Sequence, residues 1–505
     1  MKKIVALILL LLAAGKYSSA QLVNYPAPQG SSLNSDFTVK VRQGGQAWQQ
    51  VATYLAMVTN VEGTKNIVEN TSFAYFDFAG EVEVSVTANK GSIKDARIRP
   101  LSYGISTKTS GNTLTFSLTR PRDLSIEING DIFHNLQLFA NAIEKYKPSQ
   151  KDTNVIYYGP GIHQVGTVVV PSNKTVYIAG GAIVMGQILI NNKENVHVLG
   201  HGILTQLGAP ASTVNTLTTP TPRASGAPRD SHPMQSRNDE LTINFSKNIE
   251  VDGPVILPHK YSVFIGQSKG VKISGIKSFS SEGNADGLDI FCSTDIAIDN
   301  IFMRNADDCI AIYGHRWNFY GNTKNVTVSN SILWADIAHP ILVGTHGDPP
   351  HPDTLGDMKF TNIDILDQHE NQLDYQGCMA LNAGDANLIN NINFENIRIE
   401  DIRKGQLINL RVMFNHKYNT AAGAGIENIY FKNVSYTGTN ANMSVIAGYD
   451  EKHMTKNITF ENLTINGTVI SDTMPGKPGF YKTGDMANIF IGENTDNIKF
   501  ITTQK

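Results

Sequence analysis

The stretch Asn284-Ala285-Asp286-Gly287-Leu288-Asp289, followed after sixteen residues by Ala306-Asp307-Asp308-Cys309-Ile310-Ala311-Ile312-Tyr313-Gly314, states one pattern twice. Each copy has a small or polar residue, an Asp followed by Gly or Asp, and then alternating apolar residues of strand type. The acids therefore sit where a turn enters a strand. Asp286 and Asp307 are 21 residues apart, close to one coil of a parallel β-solenoid. That predicts acids on adjacent coils, with strands about 4.8 Å apart. Carboxylates so close cannot all ionise freely; one pKa rises, as a general acid near neutral pH requires. Paired carboxyls of this kind point to cleavage of a glycosidic bond. Taken singly, either Asp also reads as a turn former that hydrogen-bonds nearby backbone.

Outward from that stretch a loose repeat runs through the chain: Asn195-Val196-His197-Val198, Asn248-Ile249-Glu250-Val251, Gly270-Val271-Lys272-Ile273, Asp295-Ile296-Ala297-Ile298, Asn325-Val326-Thr327-Val328, Asn391-Ile392-Asn393-Phe394, Asn428-Ile429-Tyr430-Phe431 and Asn457-Ile458-Thr459-Phe460. Recurrence at this interval is the mark of a solenoid. One strand-turn unit cannot bury its apolar face alone, so successive coils stack as a parallel β-helix. The Asn before each run suits a left-handed turn and a ladder of amides between coils. The Asn-x-Ser/Thr sequons that coincide with the repeat, such as Asn457-Ile458-Thr459, are read as turn chemistry rather than glycosylation.

Before Asn154 the character differs. Short β-type runs at Phe37 to Val41, Phe73 to Phe78, Val82 to Ala88, Thr113 to Thr119 and Leu124 to Ile128 alternate with turn signals, which predicts a β-sandwich. A brief helix is expected from Asn135 to Tyr146. The expected divisions are a signal peptide at 1–20, a sandwich at 21–150 and the β-helix at 151–505. The leader begins Met1-Lys2-Lys3, continues through an apolar run and ends Ser18-Ser19-Ala20, so export to the periplasm or the extracellular space is expected. Gly208 to Glu240 interrupts the repeat with Pro, Ser, Thr and Gly. It reads either as a wall or lid over the cleft or as an unstructured excursion.

With 505 residues, 41% hydrophobic and 17% charged, and a formal net charge of -3, the chain has the composition of a folded protein. It has no electrostatic footprint for nucleic acid or an anionic membrane. No nucleic-acid partner, no membrane insertion and a monomeric state are expected. Three cysteines, Cys292, Cys309 and Cys378, stand in apolar surroundings and read as packing rather than as a disulfide framework or zinc ligands.

Around the acids stands Gly314-His315-Arg316-Trp317-Asn318-Phe319-Tyr320. Its aromatic faces either stack on sugar rings or cap the solenoid core, and His315 or Arg316 could bind a hydroxyl or a carboxylate. The next coil carries Asp336, His339, His346 and Asp348 near the same coil position. The spacing of His339 to His346 matches no common metal motif, so no metal and no cofactor are expected. Farther on, His369, Glu370, Asp374, Asp385, Arg411, Tyr449 and Asp450 fall at turns of later coils and could line a long groove, though a solvated turn is the plainer reading of each. Arg411, inside the apolar strand Leu407-Ile408-Asn409-Leu410-Arg411-Val412, wants a partner.

These residues resemble glycoside hydrolase family 49, the dextranase and isopullulanase group, and more distantly family 28, the polygalacturonases of the same clan. The likeness rests on Ala285-Asp286-Gly287-Leu288-Asp289-Ile290, on Asn305-Ala306-Asp307-Asp308 with its following strand, and on Asn325-Val326-Thr327-Val328 through Trp334 to Pro340. It implies an all-β chain with an N-terminal β-sandwich followed by a right-handed parallel β-helix. It further implies that Asp307 protonates the leaving oxygen, while Asp286 and Asp308 hold and deprotonate the attacking water, with inversion. Asn284, Asp289, His315, Arg316, Trp317, His339, His346, Arg411 and Tyr449 are the candidate substrate contacts. Ala285 stands where Thr is usual, Gly344-Thr345-His346-Gly347 only loosely echoes a Gly-His-Gly, and no Arg-x-Lys stands where family 28 clamps a uronate. The implied substrate is a neutral α-linked polysaccharide such as dextran, cut internally. The alternatives are a polygalacturonase-like pectin hydrolase, a β-helical polysaccharide lyase and a non-enzymatic carbohydrate-binding β-helix.

Overall fold

The structure, a computed structural model, describes residues 21–207 and 239–503. The expected signal peptide, and the 208–240 insertion apart from Asp239 and Glu240, lie outside the described residues.

From Val155 onward thirty strands form one continuous sheet wound on itself, and each strand pairs in parallel with its counterpart one coil later, apart from a short antiparallel hairpin near the C-terminus. The register shows why the repeat has its sequence. Val251 pairs with Ile273, Ile273 with Ile298, and Ile298 with Val328. Like apolar residues therefore stack along the axis and fill a core that no single coil could close. Toward the C-terminus the stacked residue becomes Phe: Phe360, Phe394, Phe431, Phe460 and Phe500 form a column with ring centroids 4.8 to 5.0 Å apart. That interval is the strand spacing itself.

The turn asparagines behave as the sequence predicts. Asn195, Asn428 and Asn457 hold φ of 56°, 59° and 58°, a region that costs most residues but that Asn tolerates. Their side chains form rungs between coils: Asn195 donates to Asn173 at 2.9 Å, Asn248 to Asn195 at 2.6 Å, Asn428 to Asn391 at 3.2 Å and Asn457 to Asn428 at 3.0 Å.

Ahead of the helix lies a two-sheet sandwich. One sheet has the order Gln21–Asn24, Lys65–Ala79, Asp131–Ala142, Arg122–Ile128 and Ala96–Arg99, with Thr53–Glu62 also paired to Lys65–Ala79. The second has the order Gln49–Val51, Phe37–Arg42, Val82–Ala88, Thr113–Leu118 and Lys108–Ser110. Phe76, Phe78, Val84, Phe116 and Leu138 are among the residues packed between them. The helix expected at Asn135 to Tyr146 is instead mostly strand, Asp131–Ala142, which pairs in parallel with Lys65–Ala79. Its apolar residues serve both faces of a covered sheet, and that continuous run imitated a helical period.

The other face of the first sheet packs on the solenoid. Tyr54, Phe73, Tyr75 and Phe139 meet Phe279, Phe302, Ile332 and Trp334. Within this interface Arg304 is fully buried, with Nε 3.1 Å and Nη2 3.3 Å from the Asp336 carboxylate. Arg304 also donates to Asn135 Oδ1 at 3.1 Å, and its guanidinium lies 3.9 Å from the Trp334 ring centre. Asp336 is therefore an interface residue, not part of the candidate acid cluster.

Asn428→Ala is expected to lose about 3–4 kcal/mol, from the left-handed penalty of about 1–2 kcal/mol and the two lost rungs at about 1 kcal/mol each. Asn428→Gly keeps the backbone freedom and loses less. Thermal unfolding of both variants checks this, and equal losses would count against the backbone part of the argument.

Candidate active site

Leu288–Phe291 and Ile310–Tyr313 pair in parallel with Leu288 opposite Ile310, and Ile310 lies opposite Ile341 of the following coil. Two residues back along each strand, the register stacks Asp286, Asp308 and His339 in one column at the turn before the strand. Backbone bonds carry the pairing into those turns: Gly287 N–H donates to the Asp308 carbonyl at 2.8 Å and Cys309 N–H to the His339 carbonyl at 2.8 Å. Gly287 has no room for a side chain, because a Cβ there would sit 2.4 Å from the Cys309 carbonyl oxygen. The acid opposite Asp286 is thus Asp308, not Asp307 as the 21-residue spacing suggested. Asp307 stands one residue earlier and is half-buried, while Asp286, Asp289 and Asp308 are buried.

Each carboxyl has its own surroundings. Asp307 accepts the backbone N–H groups of Asn284 and Asp308, both at 3.1 Å. Burial first, then the charges of Asp308 and Glu370, push its pKa up to about 7, against a pull downward from His339 and the Asn284 N–H. Asp286 is raised well above the carboxylate range by burial, by the charges of Asp289, Asp307 and Asp308, and by a side-chain hydrogen bond with Asp289. Asp308 is held by His339, whose backbone N–H and ring Nδ1 reach Asp308 Oδ1 at 3.1 and 2.7 Å, and by the Tyr313 hydroxyl at 3.4 Å from Oδ2.

His339 is a cation by geometry. Its Nδ1 faces the Asp308 carboxylate and its Nε2 faces the Tyr375 carbonyl at 2.5 Å, so both nitrogens meet acceptors. Burial by itself favours the neutral ring, but the charge and hydrogen bond of Asp308, followed by Glu370, outweigh it and raise the imidazole pKa. The cluster therefore combines crowded carboxyls that retain protons with one buried imidazolium that steadies Asp308.

The remaining candidates divide. Asn284, at φ 55°, turns its N–H onto Asp307. Asp289 is fully buried against Asp286. His346, the nearer echo of Gly-His-Gly, lies past the far end of its strand, with its ring 5.4 Å from Tyr313 and 6.3 Å from Tyr418. Burial and the charge of Arg316 hold it well below the ordinary histidine range. The histidine that touches the acids is His339. His315 is spent on its own loop, with Nδ1 2.6 Å from the Phe319 carbonyl and its ring stacked 4.3 Å from Tyr320. Trp317 packs on Phe291 at 5.3 Å, under the Arg316 guanidinium at 4.3 Å. Trp317 is half-buried at the edge of an aromatic cluster that includes the fully buried Phe319. Tyr449 is 49% exposed, beside a turn that the Asp450–His453 pair closes at 2.7 Å, several coils away.

Arg411 lies on Ile408–Val412, where it pairs with Asn382 of the preceding coil and Ala447 of the following one. It is half-buried, its Nε has no hydrogen-bond partner, and burial lowers its pKa against the pull of Asp374. Asp385 is buried as a cap on Thr420 and Ala421, and Asp348 pairs with His351 at 2.9 Å. Glu370, read from sequence as a solvated turn residue, is buried beside His339 and Asp308, its pKa raised chiefly by burial. Tyr375 meets His339 through its backbone carbonyl, which carries no side-chain signal in the sequence, and through its ring at 4.7 Å.

Among the described residues one group has donor atoms close enough to hold a metal ion, Asp77, Glu144 and His201, where the sandwich meets the first coils. Its oxygens are already taken. Tyr25 donates to Asp77 at 2.6 Å, His201 Nδ1 lies 2.8 Å from Asp77, and Tyr177 donates to Glu144. The three cysteines are free and buried, as expected. No described helix is long and apolar enough to cross a membrane.

With this geometry in hand, the family model for glycosyl hydrolases family 28 matches residues 223–477. The chain is 26% identical over 189 residues to the probable endopolygalacturonase D of Emericella nidulans, a match covering 37% of this chain and 32% of that one. It is 26% identical over 228 residues to a polygalacturonase of Juniperus ashei, covering 42% of this chain and 40% of that one. The chain thus spans well under two thirds of these relatives' lengths. In overall fold it is similar to Dex49A from Penicillium minioluteum, with a TM-score of 0.64 over 94% of this chain and 96% of that one, at 15% identity. That likeness concerns architecture, whereas the family model reads the sequence around the acids. It moves the assignment from the family 49 expectation to its clan relative: the protein belongs to glycosyl hydrolases family 28.

Proposed function

We propose that the protein is an inverting glycoside hydrolase of an α-linked polysaccharide. Asp307 delivers a proton to the leaving glycosidic oxygen, and Asp308 and Asp286 hold and deprotonate the water that attacks from the opposite face of the sugar. The observation that carries this reading is the state of Asp307, a half-buried carboxyl whose pKa stands at about 7 beside a column of further acids. Such a group keeps its proton near neutral pH and can release it when the leaving oxygen develops charge. His339 is the positioning residue for Asp308. Asp286, itself raised, needs to lose its proton before it can act as a base, so the resting cluster favours Asp308 in that role.

For the substrate, a neutral α-glucan cut internally agrees with the expectation from the family 49 likeness. A pectic chain agrees with the curated relatives, which are named as polygalacturonases. Arg411 favours the second. It sits three coils beyond the acid-bearing strand, about 14 Å along the axis at the strand spacing. A half-buried guanidinium with an unpartnered Nε is offset by an anionic group on the ligand and left uncompensated by a neutral glucan.

Asp307→Asn is expected to lower turnover about 10²–10⁴-fold with sugar binding kept. Undiminished turnover would remove Asp307 from the acid role, and a protein that binds glycan but never cleaves it would be a binding module. Wild-type kcat/KM should fall on the alkaline side as Asp307 of the free enzyme loses its proton near pH 7, which a pH profile of kcat/KM checks.

Stability provides a second check with a definite sign. The Asp307 pKa in the folded protein, about 7, lies above the unfolded value of about 3.9. The folded state therefore binds the proton more tightly, and this group's contribution falls as pH rises from about 4 through 7. Asp307→Asn should raise Tm relative to wild type more at pH 8 than at pH 5; a difference independent of pH would contradict the shifted carboxyl.

The substrate is settled by incubation with polygalacturonate, dextran, pullulan and arabinan in EDTA, following reducing ends, viscosity and ultraviolet absorbance. Cleavage of polygalacturonate that Arg411→Ala weakens about tenfold or more in kcat/KM is the expected result, with viscosity falling early if the cut is internal. Cleavage of dextran alone would return the neutral reading, and ultraviolet-absorbing products would mark a lyase.

A further inference from the structure

We propose that the N-terminal sandwich carries a second, non-catalytic site that holds an acidic polysaccharide chain. The site is a concavity of about 580 Å³ reached from the strands Phe37–Arg42, Val82–Ala88, Lys108–Ser110 and Thr113–Leu118. Four cations line it, Arg42, Lys108, Arg120 and Arg122, against the single carboxylate of Glu83. Arg42 takes up that carboxylate in a two-pronged pair at 3.1 and 2.7 Å. The other three cations have no ion pair among the described residues. A positive excess gathered in one hollow, in a chain whose formal net charge is -3, is a local feature rather than a reflection of overall composition. Concave low-dielectric walls concentrate such a field on a ligand of opposite sign.

The second observation is preorganisation. The Arg42 guanidinium lies 4.4 Å from the Trp48 ring centre and the Arg122 guanidinium 3.8 Å from that of Tyr103. Two planar cations are thus held in place by aromatic faces at the rim of one hollow, which lowers the entropy lost when they meet carboxylates. Trp48 is still 37% exposed and presents apolar surface to a sugar ring. Repeated carboxylates along a pyranose chain match both features, charge at several points and flat C–H faces between them. Each exposed contact is weak alone, and several along one polymer sum through effective concentration. The site lies on the sandwich, so it stands or falls separately from the acid chemistry of the solenoid.

The test is affinity electrophoresis of the full chain in native gels containing polygalacturonate, in the Asp307→Asn background so that the polymer is not cut. Retardation by polygalacturonate and not by dextran is expected, with loss of the effect in 0.5 M NaCl. Lys108→Ala combined with Arg120→Ala, both at exposed positions, should weaken the apparent affinity about tenfold. In the native background the same pair should leave turnover of a short soluble oligosaccharide and the Tm unchanged. Retardation that survives this double variant and disappears with Arg411→Ala would place the polymer in the catalytic groove and overturn the proposal. Equal retardation by single-stranded DNA would overturn the assignment to a glycan.

Discussion

The coil register is the constraint from which the site follows. Parallel pairing admits one alignment in which the apolar columns stay inside, because a slip of one residue would turn every strand's core face outward. The left-handed asparagines and their amide rungs hold that alignment at the corners. Once it is set, residues far apart in sequence stand one strand spacing apart, and Asp286, Asp308 and His339 have no freedom to spread. The raised carboxyls result from that enforced proximity together with burial.

Such a cluster opposes folding, and the surrounding structure has to absorb the cost. Tyr313 and Tyr375, part of an aromatic layer with Phe264 and Phe291, pack beside Asp308 and His339. His339 has both ring nitrogens engaged, Nδ1 by the Asp308 carboxylate and Nε2 by the Tyr375 carbonyl. The same solenoid handles buried charge differently on the strand Phe302–Asn305, which immediately precedes the acids. Arg304, Asp336 and Arg403 form a paired network under the sandwich, where every charge has a partner. Charge is thus compensated at the sandwich contact and left under-compensated at the acid cluster.

The sandwich has two roles in this arrangement. Its six-stranded sheet covers the apolar row that includes Phe279, Phe302 and Trp334, which would otherwise be an exposed patch along several coils. Its five-stranded sheet points away from that contact and contributes strands to the cationic hollow of Arg42, Lys108, Arg120 and Arg122. The sandwich thus covers the solenoid and offers a charged surface of its own.

Much was legible in the linear chain for a physical reason: coils are local, so the Asp-Gly and Asp-Asp turns, the strands that follow them and the Asn at each corner announce themselves within a few residues. The sequence by itself determined the all-β solenoid, the preceding sandwich and the stretch that bears the acids. It misread Asn135 to Tyr146 as a helix, where most of the segment belongs to the strand Asp131–Ala142, because a strand covered on both faces loses the alternation that marks a strand. Which acids stand opposite each other, which of two histidines touches them, and the burial of Glu370 were decided only by the tertiary structure. Coil lengths vary from one turn of the solenoid to the next, so a sequence interval does not give a spatial neighbour. The raised pKa values of Asp307 and His339 depend on partners contributed by several coils, and those meet only when the register is complete.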